Sequence, residues 1–144
     1  MPQKKLIQSL EDQSKEIKFG HNKILNDLEK RLTDSGFLVF KNQPFCVQLN
    51  DNLTLYGEMD LQGIDYKKRT IVATEVKSIW QEELIKKAYT QLIKDLFYLK
   101  EHYPHFDIVL MYAYRSDDKK GYTCQRIRKN EIKKTIKKIK NKDN

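Results

Sequence analysis

The segment at residues 70–77, TIVATEVK, is the feature that most constrains how this chain can fold. Its Val, Ile and Thr residues favour a buried strand, because β-branched side chains pack well on a pleated sheet. Glu75 and Lys77 nevertheless stand at its end, and Asp60 interrupts the apolar run before it. Ionised side chains in a buried strand cost free energy unless a partner compensates their charge. The sequence therefore predicts a sheet with a charged site built into it.

The two apolar runs, residues 53–64 and 70–77, are predicted to form an antiparallel hairpin, with the polar residues 65–69 (DYKKR) as its turn. Side chains alternate between the two faces of a strand, so the two charges of the Glu-x-Lys triplet are expected on one face. Pairing through the turn would bring Asp60 beside Glu75. The triplet alone carries little information, because EIK occurs twice elsewhere in the chain.

Helical patterns and a strand precede the hairpin. Residues 4–18 have a weak helical pattern, and residues 22–35 have a stronger one. The second pattern places four apolar side chains on one face: Ile24, Leu25, Leu28 and Leu32. Gly36 is expected to end that helix in a left-handed conformation. FLVF at 37–40 predicts a strand, which Pro44 is expected to interrupt.

A helix and two strands follow the hairpin. Residues 82–102 carry the strongest helical periodicity of the chain, and Pro104 lies just beyond their end. The apolar run FDIVLMYAY at 106–114 predicts a strand that is covered on both faces. A turn is predicted at 117–121, and YTCQRI at 122–127 predicts a further strand.

Length and composition place the chain in the soluble globular class. It has 144 residues, of which 39% are hydrophobic and 33% charged, enough for the core of one α/β domain over residues 1–144. No apolar stretch approaches the ~20 residues that span a bilayer, and the N-terminus lacks the apolar core of a signal peptide. No membrane association is therefore expected, and the cytoplasm is the expected location. Cys46 and Cys124 are expected to be reduced thiols rather than a disulfide or metal pair.

The positive charge of the chain is concentrated near its C-terminus. The formal net charge is +8, and residues 126–144 hold nine Lys or Arg against two acids, a net +7. Such a block attracts polyanions over a Debye length of about 8–10 Å, so nucleic acid is the expected partner, with solubility alone as the alternative. The candidate nucleic-acid ligands in this block are Arg126, Arg128, Lys129, Lys133, Lys134 and Lys137.

The same block is predicted to contain a basic helix at about 130–142. Asn130 is its expected cap, and Ile132, Ile136 and Ile139 fall on one stripe. The stripe predicts that this helix docks on the core or on a second subunit, while its lysines face outward.

Two carboxylates and a lysine on one side of a sheet form a coherent catalytic site. Carboxylate oxygens bind hard divalent cations, and Mg²⁺ suits few protein ligands together with waters and a phosphate. Such an ion polarises a phosphoryl oxygen and acidifies bound water, and a lysine can orient that water or stabilise the developing charge. The sequence thus indicates phosphodiester hydrolysis with Mg²⁺ as cofactor and Mn²⁺ as the alternative.

The stretch GEMDL…IVATEVKS resembles the core motif of the PD-(D/E)xK nuclease superfamily. It is similar to small bacterial members that read GEIDL and then VEVK, and to archaeal Holliday junction resolvases. The resemblance implies Asp60 and Glu75 as metal ligands and Lys77 as the catalytic lysine. It also implies a restriction-endonuclease-like core over residues 21–115, with a mixed sheet of about five strands flanked by helices.

The activity that the resemblance implies is that of a metal-dependent DNA endonuclease. Branched or junction DNA, as handled in DNA repair and recombination, is a candidate substrate. Junction-resolving members of the superfamily act as homodimers, which makes a homodimer a candidate assembly for this chain.

Further positions of the family pattern can be compared with this sequence. Many members place a catalytic Gln near the start of the helix after Glu-x-Lys, and Gln91 is the candidate here, with a solvent-facing helix residue as the alternative. Ser78 follows the lysine as in the resolvases, where it could contact a phosphate or merely end the strand. The family's first-helix Glu falls near Leu25, so that match fails, and neither Glu29 nor Asp27 is expected to replace it.

The missing first-helix acid leaves two function hypotheses open: a metal-dependent DNA endonuclease, or a nucleic-acid-binding or assembly module on the same fold with little catalysis. Trp80 is expected to pack on the core in preference to stacking on a base. His102 and His105 are expected to be surface histidines, because Pro104 lies between them.

Overall fold

The computed structural model describes residues 20–116 and 121–141 of the chain. Its elements, in chain order, are α1 (His21–Asp34), β1 (Leu38–Asn50), β2 (Leu53–Asp65), β3 (Thr70–Lys77), α2 (Glu82–His102), β4 (Asp107–Arg115), β5 (Tyr122–Arg126) and α3 (Lys129–Asn141). The predicted helix at 4–18 and most of the predicted turn at 117–121 lie outside the described residues. None of the described helices is long and apolar enough to cross a membrane.

The five strands form one mixed sheet in the order β1-β2-β3-β4-β5. Neighbouring strands are antiparallel except β3 and β4, which run parallel. A parallel pair requires a crossover connection, and α2 supplies it between these two strands. The described ranges thus form an α/β protein with a five-stranded mixed sheet and three helices, which confirms this part of the predicted fold.

Helices cover both faces of the sheet. On one face, α1 packs its apolar stripe against Leu61, Val76 and Ala113. On the other face, α2 contributes fully buried side chains such as Leu92 and Leu99 to the larger core cluster, and α3 lies against α2. The central strands of the sheet are therefore covered by helices on both faces.

The helix boundaries follow the sequence signals closely. α2 spans the predicted residues 82–102, and α1 ends where the glycine signal placed its end. Gly36 has a φ of 93°, and the backbone N–H of Phe37 donates to the Leu32 carbonyl at 3.0 Å. This is the left-handed helix end that glycine favours, because it has no Cβ.

The prediction that Pro44 interrupts the strand after FLVF is wrong. Pro44 pairs with Glu58 within β1, which continues to Asn50. Among the described strands, β1 lies at the edge of the sheet and pairs with β2 alone. Such a strand tolerates a residue without an N–H, because half of its backbone groups have no strand to bond.

The basic C-terminal helix α3 begins at Lys129, so Asn130 lies inside its first turn rather than before it. The Asn130 side-chain oxygen still accepts a hydrogen bond from the backbone N–H of Glu131 at 3.0 Å. Ile139 is buried in the core cluster, and two further isoleucines, Ile132 and Ile136, pack against it. The predicted docking of the isoleucine stripe on the core is confirmed.

Candidate functional site

The predicted acidic residues meet where β2 separates from β3. The antiparallel pairing of these strands ends at Leu61 and Thr74. Asp60 is the first residue beyond that pair, and its Oδ2 accepts a hydrogen bond from the backbone N–H of Val76 at 2.8 Å. The carboxylate thus accepts a hydrogen bond that a backbone carbonyl of β2 would accept if the pairing of the two strands continued. We call this place, between Asp60 of β2 and residues 75–77 of β3, the fork.

β2 turns over at the fork. Met59 packs in the core cluster on the α2 side and Leu61 in the cluster on the α1 side, although strict alternation would place both on one face. Asn42, which faces this point from β1, has a φ of 53°, an uncommon value outside glycine. The irregularity lets the Asp60 side chain reach across to β3 at the level of Val76.

Glu75 and Lys77 project from the same side of β3, as predicted. The Lys77 ammonium nitrogen lies 3.6 Å from Glu75 Oε1. The Glu75 side chain is 7% exposed and that of Lys77 is 25% exposed, so the lysine reaches solvent while the acid does not. Glu75 Oε2 is buried and has no hydrogen-bond partner among the described residues. Such an unsatisfied oxygen in a buried position is what a bound cation would compensate.

The environment of Glu75 disfavours its ionised form. Burial is the main cause, and the nearby Asp60 and Asp95 carboxylates add to it, while Lys77 acts in the opposite direction. Together they raise the pKa of Glu75 to about 9. Because like charges and burial both oppose a second negative charge here, a bound cation would lower the cost of ionising Glu75, and the fork is a candidate cation site.

Asp95 is a member of this cluster that the sequence analysis missed. It lies on α2, is fully buried, and its Oδ2 has no hydrogen-bond partner within the described ranges. Burial, with a contribution from Asp60, raises the pKa of Asp95 well above its ordinary value. The available signal was an acid on the apolar stripe of α2, between Leu92 and Leu99.

Gln91 joins α2 to β2 beside the fork. Its side-chain nitrogen donates to the Glu58 carbonyl at 2.9 Å and to Asp95 Oδ1 at 3.0 Å. The side chain is half-buried and is directed toward the fork by these two contacts. An amide nitrogen has two hydrogens, and both have acceptors within the protein here.

Gly57, the glycine of GEMDL, makes room for this arrangement. A Cβ at Gly57 would lie 2.7 Å from the Gln91 amide nitrogen and 2.6 Å from Phe45 Cζ. Phe45 in turn packs on Tyr98 with a ring separation of 4.9 Å. A side chain at residue 57 would therefore displace Gln91 from the fork or Phe45 from the core.

We expect Gly57→Ala to lower the free energy of unfolding by about 1–3 kcal/mol, the usual cost of forcing an extra carbon into a packed site. Denaturant unfolding measures this loss. The matched control is Gly121→Ala, because the nearest atom to a Cβ there is Ser116 Oγ at 3.9 Å. Equal stability of the two variants would contradict the packing role of Gly57.

His21, the first residue of α1, faces Asp60. Its Nε2 lies 3.4 Å from Asp60 Oδ2. Sequence reasoning missed this residue, because the family pattern directed attention to an acid. A histidine at the start of the predicted helix was the only signal.

The acids of α1 are engaged elsewhere. Asp27 is buried, accepts a hydrogen bond from the Tyr122 hydroxyl, and lies 3.0 Å from Arg31 Nε. Glu29 forms an ion pair with Lys41 at 3.1 Å. The hydrogen bond and ion pairs of these two acids thus lie outside the fork.

The donor set at the fork fits Mg²⁺ when solvent completes it. Within residues 20–116 and 121–141, no three His, Cys, Asp or Glu side chains are grouped so that they could hold a metal by themselves. Mg²⁺, however, is commonly bound through one or two carboxylates, with waters and substrate phosphate as the other ligands. Asp60 and Glu75 supply two carboxylates, one of them with an unpartnered buried oxygen.

The predicted nucleic-acid ligands lie at the surface. Ser78 is exposed directly after β3, and the basic candidates are all exposed on β5, α3 and the connection between them: Arg126, Arg128, Lys129, Lys133, Lys134 and Lys137. Their exposure is compatible with binding a polyanion and also with solubility alone.

Three further expectations can be compared with the structure. Trp80 is 52% exposed, so the prediction that it packs on the core is wrong. His102 and His105 are exposed, as expected. Cys46 and Cys124 are free thiols, as expected.

Comparison with known proteins does not assign a family to this chain. No protein-family model matches it, and no curated protein matches it in sequence.

Proposed function

We propose that this protein is a Mg²⁺-dependent nuclease that hydrolyses phosphodiester bonds of DNA, built on a restriction-endonuclease-like core. The convergence of Asp60, Glu75 and Lys77 at the fork carries the proposal. The order of helix, strand, hairpin, long helix and strand over residues 21–115 supports the proposed core. All described strands share one sheet, which supports a single α/β domain.

Asp60 and Glu75 would hold the cation in this proposal. Asp60 is oriented by the Val76 N–H, and Glu75 offers its unpartnered Oε2. When bound, the ion supplies Lewis acidity to a phosphoryl oxygen and to water. The positive charge of the ion would also compensate the negative charges of the two carboxylates. This would explain how a buried part of the sheet can contain both of them.

Lys77 would assist the reaction from the solvent side of the fork. Its ammonium is a compact positive charge at 3.6 Å from Glu75 Oε1, and a quarter of its side chain is exposed. It can therefore contact a water or phosphoryl oxygen that approaches from solvent. Gln91 and Asp95 would position the residues of the fork rather than contact substrate, because both lie on α2, on the inner side of the fork.

The test is cleavage of end-labelled linear, nicked, flapped and four-way DNA by the purified protein. We expect products with Mg²⁺ or Mn²⁺ and none in EDTA, with branched substrates cut faster than linear duplex. Lys77→Ala is the control for contaminating nucleases, because it removes the catalytic charge and leaves both proposed metal ligands. Cleavage that Lys77→Ala leaves unchanged would refute the site assignment.

One observation favours a second candidate, a nucleic-acid-binding or assembly module with little catalysis. The α1 residue that faces Asp60 is His21, and no third acidic ligand from this helix reaches the fork. A protein that binds all four DNA forms but cuts none with either metal would support this candidate over the nuclease.

A further inference from the structure

A cavity of about 320 Å³ lies beside α2 near the fork. It is bordered by the loop after β3, the first turns of α2, β5 and the start of α3. The side chains that matter for its chemistry are Trp80, Tyr89, Tyr112, Gln125, Arg126 and Arg128. The cavity therefore combines flat aromatic surfaces with amide and guanidinium donors.

Trp80 forms one side of this cavity and is the only tryptophan of the chain. Half of its surface is exposed, although an indole gains free energy when it is buried. An exposed tryptophan beside a polar cavity offers a stacking platform, because every base has a flat π-face.

The floor of the cavity presents hydrogen-bond donors. The Tyr112 hydroxyl donates to Gln125 Oε1 at 2.7 Å, and the Tyr89 hydroxyl lies 3.5 Å from that of Tyr112. Since the Gln125 oxygen is used, its amide N–H groups remain to donate to the carbonyl edge of a base.

The register of the sheet places this cavity next to the fork. Tyr112 of β4 is the direct cross-strand partner of Glu75 in β3. Neighbouring strands are about 4.8 Å apart. Trp80 follows Lys77 by three residues, which limits their Cα separation to about 11 Å. A nucleic-acid strand with one phosphate at the fork can therefore place a neighbouring nucleotide in the cavity.

The charges around the cavity favour a nucleotide. Arg126 and Arg128 are exposed at its border and carry guanidinium groups that suit phosphate. Its two acids are each close to a lysine of the same helix, Glu82 to Lys86 at 3.6 Å and Glu131 to Lys134 at 3.9 Å. The acids are therefore partly neutralised, while the arginines lie beside them.

We propose that this cavity binds one unpaired base of a nucleic-acid strand, stacked on Trp80, with the adjoining phosphate on Arg126 and Arg128. The inference rests on the proposed function and deepens it, since it names the substrate as a strand with an unpaired nucleotide beside the scissile bond. Bases within a duplex are stacked on their neighbours and cannot offer a free face to Trp80, whereas flaps, single strands and open junctions can.

The experiment uses the fluorescence of Trp80 as a local probe, in EDTA so that no DNA is cut. The full chain is titrated with octathymidylate, with an abasic oligonucleotide of the same length, and with a blunt duplex. We expect octathymidylate to quench the fluorescence, while the abasic strand and the duplex leave it nearly unchanged. Quenching by the abasic strand equal to that by octathymidylate would overturn the proposal, because phosphate alone would then explain the signal.

Variants test the same inference by fluorescence anisotropy of labelled DNA. Trp80→Ala should weaken octathymidylate binding between about 5- and 150-fold, the range for one lost base stack, and change duplex affinity less than about twofold. Trp80→Phe should retain most of the affinity. Tyr66→Ala is the matched control, since Tyr66 is similarly exposed but lies in the turn between β2 and β3.

Failure of this inference can be distinguished from failure of the proposed function. Metal-dependent cleavage with Trp80→Ala binding octathymidylate as well as the wild type would overturn the base site and leave the nuclease standing. Base-dependent quenching without any cleavage would support the base site and remove the nuclease. Equal losses in single-strand and duplex binding would also overturn the base site.

Discussion

Replacing Glu75 by glutamine is expected to abolish metal-dependent cleavage and at the same time to raise the stability of the metal-free protein. The amide keeps the shape of the side chain but removes the charge that would hold the cation. Loss of a partner outside the metal ligands already costs up to about 100-fold, so the loss of a ligand should cost at least that much activity. Stability should rise because the buried carboxyl no longer has to stay protonated.

The stability effect depends on pH with a definite sign. The pKa of Glu75 is raised from 4.5 to about 9 in the folded protein. Between these values the folded state binds a proton that the unfolded state has released, so the free energy of unfolding falls as pH rises. The advantage of Glu75→Gln over the wild type in EDTA should therefore grow with pH, by at most about 1.4 kcal/mol per pH unit within this window.

Thermal melting in EDTA and in Mg²⁺, at pH 6 and pH 8, measures both effects. Mg²⁺ should raise the melting temperature of the wild type, more at pH 8 than at pH 6, because binding competes with the proton. It should leave Glu75→Gln unchanged. Glu101→Gln, which neutralises an exposed acid of α2, is the control for a general charge effect. A metal response that survives in Glu75→Gln would show that the ion binds elsewhere.

The parts of the fold that could be predicted are those whose signals are local. The hairpin of β2 and β3 follows from two apolar runs and a polar turn, and its register brings Asp60 to the level of Glu75, one residue beyond the last pair. The α2 boundaries follow from its periodicity and from Pro104. In these cases, the chain segment itself contains both the apolar pattern and the residues that end it.

The missed features depend on contacts between distant segments. Met59 and Leu61 pack on opposite faces because β2 turns over at the fork, and a strict period of two cannot anticipate that. His21 and Asp95 lie 39 and 35 residues from Asp60 along the chain. Only the docking of α1 and α2 on opposite faces of the sheet brings both of them to the fork.

The two misassigned residues show the same limit. Pro44 is compatible with a strand because β1 is at the edge of the sheet. The order of the strands in a sheet cannot be read from the sequence, so this position could not be predicted. Trp80 was expected to pack because a large aromatic residue usually does. Its exposure depends on how the loop after β3 leaves the sheet.

The basic helix α3 combines a structural and an electrostatic role, which the structure allows us to separate. Its isoleucines pack on the core, so deletion of residues 130–144 would expose apolar surface and lower the melting temperature as well as removing charge. Charge variants avoid this difficulty. Lys133 and Lys137 are exposed and lie four residues apart, on the side of α3 that faces solvent.

We expect the double variant Lys133→Gln/Lys137→Gln to weaken duplex DNA binding without changing the melting temperature. If each lysine neutralises one phosphate, the slope of log K against log salt should flatten by about 0.9 per lysine, or about 1.8 in total. Lys67→Gln/Lys68→Gln is the matched control, because it removes the same charge from the exposed turn between β2 and β3. The control should keep the wild-type slope.

The comparison decides where DNA is held, because both variants change the net charge equally. A slope that flattens equally in the two variants would mean that only overall charge matters and that α3 is not a specific contact. An unchanged slope in both would place the phosphate contacts elsewhere and leave α3 with its packing role alone. A slope that flattens only in the α3 variant would identify this helix as a phosphate-binding surface, since released counterions report local contacts rather than net charge.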